Sequence, residues 1–170
     1  MLLENRSPLP PMRLIESPEK ALLHIDCVGA AIDMMRHMKW HSRLSVGTMV
    51  PLIMNALSDG RAHFMLTPDQ RPLGFAVWHW TDDATHSCWL ATPPTLEEIG
   101  RMERFSGGPE NQTLHLWFSL LITPFCSCLP LMYELQQKLY NARRAWGITP
   151  YGINTDGIDI HATPQFRTLW

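Results

Sequence analysis

Charged side chains are scarce in this chain. Asp, Glu, Lys and Arg make up 18% of its 170 residues, which is low for a soluble domain. Neither sign dominates: the formal net charge is −2 and the isoelectric point about 6.4. A general nucleic-acid binder needs a basic excess to displace counterions from phosphates, so no nucleic-acid partner is expected. Cysteine is sparse too. Among Cys27, Cys88, Cys126 and Cys128 there is no CxxC pair, which removes the usual zinc spacings, and no metal site is expected. No secretory signal is legible, so the thiols are expected reduced, in the cytoplasm. One run, Asn111 to Tyr133, carries no charge and is long enough to cross a bilayer. Pro124 and Pro130 interrupt it, and Asn111, Gln112 and His115 make its entrance polar. That pattern fits a buried strand followed by a helix, and no membrane span is expected.

What the chain does have is apolar bulk: 45% hydrophobic residues, with 7 Trp and 10 Met. A domain of this length buries roughly 70% of its unfolded surface and needs no staples. Residues 1–16, with Pro8, Pro10 and Pro11, read as an extended arm. Residues 17–170 read as a single domain.

Ser17-Pro18-Glu19 is a helix start, with a capping hydroxyl, an early proline and a negative charge at the positive end. The helix is expected to run to about Lys39, with Val28, Ile32 and Met35 on its apolar stripe. The polar cluster Trp40-His41-Ser42-Arg43 leads into a second helix, Val46 to Leu57. Two strands follow, Ala62 to Thr67 and Leu73 to Trp80. The second is apolar on both faces and therefore central. Thr85 to Leu90 reads as a short strand or loop. Thr95-Leu96-Glu97-Glu98 has the capping-box pattern and opens a short helix to about Glu103. Phe105 to Asn111 is a loop, and Leu114 to Thr123 a buried strand. Pro130 opens a helix expected to reach Trp146, with Gly147 as its cap. A last hairpin is expected around Thr155-Asp156-Gly157. The fold class is therefore α+β, a mixed and mostly antiparallel sheet flanked by helices.

His41 is the first candidate for chemistry. Beside Arg43, at a helix entrance and off the apolar stripe, it is placed to act as a base; a capping or surface role is the commoner use of such a position. Cys126 and Cys128 offer thiols for an acyl relay, although most cysteines are inert core residues. His79, Asp82, His86 and Cys88 are ligand types without a metal-binding spacing. Lys138, Arg143 and Arg144 form a basic patch, or an ordinary solvated face.

Several segments together resemble one family, the lysine acyltransferases that activate RTX toxins. The first is His41-Ser42-Arg43-Leu44-Ser45-Val46, a histidine followed by a short segment and valine. Next come a strand ending in Leu66-Thr67, a turn with Asp69, and Pro72-Leu73-Gly74-Phe75-Ala76-Val77-Trp78. Later come Ser106-Gly107, Trp117-Phe118 and Ile122-Thr123-Pro124-Phe125. The register holds over about half the chain.

The resemblance implies a GCN5-related acyltransferase-like fold and transfer of a fatty acyl group from acyl carrier protein to a lysine of an acceptor protein. It implies His41 as the catalytic residue, with Arg43, Trp78 and Ser119 as substrate-binding candidates, and a homodimer. No bound cofactor is implied; acyl-loaded acyl carrier protein is the donor. The loop Cys126-Ser127-Cys128-Leu129-Pro130 has no glycine to cradle a coenzyme A pyrophosphate, whereas a carrier protein's single phosphodiester asks less of it. The chain also departs from the family. Its Asp partner of the histidine is Leu120 here, its Ser before the histidine is Met38, and its Arg directly after is Ser42. The family's Lys-rich C-terminal tail has no counterpart before Trp170. Strand alternation puts Ser119 on the face opposite Leu120, and leaves His115 and Asp82 as other polar candidates. An inactive relative that binds a partner or acyl carrier protein, and a small-molecule N-acyltransferase, are the alternative functions.

Overall fold

A computed structural model describes residues 18–38, 41–102, 114–139, 144–149, 152–154, 157–159 and 165–169. The expected arm and the loop from Phe105 to Asn111 lie outside the described residues. Helix α1, Pro18–Arg36, and helix α2, Val46–Ser58, are joined by the 3-10 turn His41–Arg43. Ser45 caps α2, its hydroxyl accepting from the Thr48 N–H at 3.1 Å. Strands β1, Ala62–Leu66, and β2, Pro72–Thr81, form the expected hairpin.

Residues after β2 depart from the reading. Helix α3, Asp83–Ala91, stands where a strand or loop was expected. Asp82 ends the strand and caps the helix, accepting from the Thr85 N–H at 2.7 Å. Burial of Trp89 then holds α3 on the sheet. Helix α4, Leu96–Arg101, carries the complete capping box of Thr95 and Glu98. Strand β3, His115–Ile122, and helix α5, Leu129–Lys138, follow. Trp146 and Gly147 are not the end of that helix. They belong to strand β4, Ala145–Thr149, where pairing with β3 outweighs local helix propensity. Strands β5, Gly152–Asn154, and β6, Gly157–Asp159, make the expected last hairpin. Strand β7, Gln165–Thr168, was not expected and pairs with β4.

The main sheet has the order β1-β2-β3-β4-β7. All its pairs are antiparallel except β3 with β4. Parallel neighbours need a crossover, and α5 lies within it. Helices cover both faces. One core holds Met34, Met35, Met49, Ile53, Trp89 and Ile99 against Phe75, Val77, Trp117 and Leu120. The other holds Leu131 and Leu135 of α5 against Ala76, Trp78, Leu116 and Phe118. The odd–even split of Phe75 and Val77 against Ala76 and Trp78 is the pleat of a strand buried on both sides.

Two irregularities shape this sheet. Between β2 and β3 the register shifts: Val77 pairs with Leu120 but Trp78 with Phe118, leaving Ser119 as the extra residue of a β-bulge. The parallel pairing of β3 with β4 covers Leu116↔Ala145, Trp117↔Trp146 and Phe118↔Gly147, and stops there. The last β3–β4 pair thus falls at the residue just before the bulge.

Gly74 lets β2 lie close under the end of β3. A Cβ there would meet the Ile122 carbonyl oxygen at 2.7 Å and Thr123 Cγ2 at 2.8 Å. Gly74→Ala should therefore destabilise the fold by about 1–3 kcal/mol, as overpacking does, in urea unfolding. An unchanged midpoint would mean that β2 and β3 do not approach as described.

Candidate active site

His41 is held by the turn that carries it. The Ser42 N–H donates to the Met38 carbonyl at 3.0 Å, and the Leu44 N–H to the His41 carbonyl at 3.1 Å. Met38 and Leu44 pack against the core that contains Leu120. The turn thus sits on the α1–α2 side of the sheet. The His41 ring is 7% exposed, and burial lowers its pKa to about 4. At neutral pH it is an uncharged imidazole. Arg43, two residues on, is exposed.

Ser119 does not point away from Leu120. The bulge breaks the alternation, so both residues face the α1–α2 side. Leu120 belongs to that core at 1% exposure. Ser119 Oγ lies 3.0 Å from His79 Nε2, and the His79 ring stands 6.3 Å from that of Trp89, in the same core. His79 is itself held from behind. Arg61 Nη1 lies 2.9 Å from His79 Nδ1 and donates to the Trp78 carbonyl at 2.9 Å. Arg61 Nη2 pairs with Asp59 Oδ2 at 2.9 Å. Guanidinium nitrogens only donate, so His79 Nδ1 accepts and its proton sits on Nε2. His79 therefore donates to Ser119 Oγ, and the Ser119 hydroxyl donates to the Val77 carbonyl at 3.4 Å. Burial first, and the Arg61 charge second, lower the His79 pKa to about 3.

Trp78 occupies the other face, 2% exposed, with its ring tilted against Phe118 at 6.4 Å and Lys138 Nζ 5.8 Å above it. The four residues expected at the site are thus divided: His41 and Ser119 on one side of the sheet, Trp78 on the other, Arg43 exposed on its turn. The other polar candidates lie near the start of β3, away from the bulge. His115 pairs with Asp83 at 2.7 Å and stacks on His86 at 3.7 Å between ring centroids. His86 accepts from Trp117 Nε1 at 3.1 Å; burial first, and then His115, lower its pKa, while Asp83 opposes them. Asp82 is occupied as the cap of α3, a role that lowers its pKa through the Thr85 hydrogen bonds. Cys126 is exposed and Cys128 half-buried, and neither is in a disulfide. Arg144 precedes β4, off the helix that carries Lys138; Arg143 lies outside the described residues.

Sequence reasoning missed the chain from Asp59 through Arg61 and His79 to Ser119. A signal was present. His79 is a polar residue inside a strand read as central, and a buried imidazole needs partners.

The model of the RTX toxin acyltransferase family matches residues 20–158. No curated protein matches the chain.

Both buried imidazoles bear on stability. Their folded pKa values lie below the unfolded 6.5, so below pH 6.5 the unfolded chain binds more protons than the folded one. Stability should be complete above that pH and fall as the pH drops toward 4, by on the order of 2 kcal/mol per ring between pH 7 and pH 5. Urea unfolding of wild type and His41→Gln at both values tests this. An equal acid loss in both proteins would contradict the burial of His41.

Proposed function

Since the chain belongs to the RTX toxin acyltransferase family, we propose that it moves a fatty acyl group from acyl carrier protein to a lysine of a partner protein, with His41 as the general base. The observation that carries this reading is the end of the β3–β4 pairing after Phe118, where the strands can part to form an opening, on a sheet whose α1–α2 side bears His41. Beyond the last pair, Leu120 and Leu121 have no registered partner on β4. A pantetheine arm is amide-rich and extended, and it can take up their backbone groups as an added strand does. Leu120 and Ile148 beside the opening are buried hydrocarbon, and each acyl methylene buried there contributes about 0.8 kcal/mol.

The acceptor requires a base. A lysine of pKa about 10.4 is neutral in roughly one molecule in 2,500 at pH 7, which costs about 4.6 kcal/mol. The His41 ring is already neutral and can take the proton as the amine attacks. Burial lowers its pKa to about 4, and Leu120 stands where the family has Asp. That leucine, buried at 1% exposure, is also what favours the second reading, a non-catalytic relative that binds acyl carrier protein.

One assay separates the two. Incubation with long-chain acyl-loaded carrier protein and an RTX toxin polypeptide should add one acyl mass to a lysine. His41→Ala should slow this by about 100-fold or more. Binding of the carrier with no mass gain would establish the non-catalytic reading. Restoring the carboxylate with Leu120→Asp should raise the His41 pKa in an NMR titration. An unmoved titration would put Leu120 out of reach of the ring.

A further inference from the structure

Ser119 and His79 have the residue types of a nucleophile and its base, but their hydrogen bonds run the other way. Arg61 occupies His79 Nδ1 at 2.9 Å as a donor, so Nε2 carries the proton and cannot accept one from Ser119. A pKa near 3 for His79 agrees with that arrangement. The chain is a run of donors, Arg61 to His79 to Ser119, and each bond polarises the next in a site shielded from water. Asp59 anchors the far end at 2.9 Å. The near end is a hydroxyl at the bulge, one residue beyond the last β3–β4 pair. Its own acceptor, the Val77 carbonyl, is 3.4 Å away, at the weak limit of a hydrogen bond, and exchanging it costs little.

We propose that Ser119, charged with donor strength by Arg61 through His79, donates a hydrogen bond to the thioester oxygen of the acyl donor as that oxygen becomes an oxyanion. This rests on the acyl-transfer reading above. In the step, the lysine nitrogen bonds to the carbonyl carbon and the carbonyl π pair moves onto oxygen. When the pair returns, the C–S bond breaks and the pantetheine sulfur leaves, taking up the proton the amine has lost through His41. Ser119 loses no proton and forms no covalent bond. Its contribution is greatest when the oxygen carries negative charge, which is when a fixed donor accelerates a reaction. Ser119 is then a catalytic residue, and Arg61 and His79 are positioning residues.

The test reads the carbonyl itself. Carrier protein loaded with an acyl chain labelled at its carbonyl carbon is bound to the protein, and the thioester stretch is followed by isotope-edited infrared difference spectroscopy. Wild type should lower the stretch relative to free donor. Ser119→Ala and His79→Phe should return it toward the free value and reduce kcat by about 100-fold, with KM for the carrier changed by at most about tenfold. His79→Gln has an amide oxygen for Arg61 and an N–H for Ser119, and should keep most of the shift. Should Ser119→Ala fail to fold, His79→Phe carries the same comparison. If the donor binds with one carbonyl frequency in wild type and in the folded variants, the donor role is wrong and the acyltransferase reading stands. If the donor does not bind wild type, both fall. An acyl adduct on Ser119 in the intact mass would overturn the direction assigned to the hydrogen bonds.

Discussion

A single extra residue in the third strand sets the geometry on which the site depends. Were β3 regular beyond Trp117 and Phe118, Leu120 would face α5 and only Ser119 would face the α1–α2 side. The bulge instead turns Ser119 and Leu120 to the same face and coincides with the end of the parallel pairing. A bulge sacrifices ladder hydrogen bonds and raises the local twist. Here the freed residue finds other partners: its hydroxyl joins His79 and the Val77 carbonyl. The distortion is thus tied to His79 on β2 and to Arg61 and Asp59 on the turn before β1, and is not an isolated defect.

Electrostatics reinforces this because the chain has so few charges. Arg61 is half-buried at 18% side-chain exposure, as is its partner Asp59, and its guanidinium sets a positive charge beside His79. His41 and His79 are kept neutral by burial. In a site of low effective dielectric, oriented neutral donors and one paired cation act more strongly than they would in water. The same dryness suits an acyl chain, and it explains how a sheet face can be greasy and still hold a connected polar chain. The Asp59–Arg61 pair is stabilising only while complete, since removing either partner leaves the other half-desolvated.

Local signals carried the reading of the elements a long way. The capping box at Thr95 and Glu98, the central character of β2, the strand ending before Pro124 and the hairpin at Gly157 all depend on neighbours within a few residues, and all are present. Helix α3 was misread because Ala84-Thr85-His86-Ser87-Cys88 carries no apolar stripe; its cap, Asp82, directly follows a strand. Strand β4 was misread because Arg143-Arg144-Ala145-Trp146 favours a helix, and only its partner on β3 makes it a strand. The bulge escaped for a related reason. Period-two alternation assumes a regular ladder, and nothing near Ser119 announces the extra residue. His79 and Ser119 lie 40 positions apart, as does any pair that only the sheet brings together. The family likeness singled out His41, Arg43, Trp78 and Ser119 as candidates. It had no means of finding Arg61 and His79, which match none of its motifs.

The claim beneath all of this is that β3 and β4 part after Phe118 and that the acyl donor's arm enters there. Backbone hydrogen exchange, followed residue by residue with and without long-chain acyl-loaded carrier protein, addresses it directly. If the arm enters there, those amides of Ser119 to Leu121 that point away from β2 should exchange readily in the free protein and become protected on binding. Protection of those amides before the donor is added, or protection that rises only elsewhere in the protein, would contradict it.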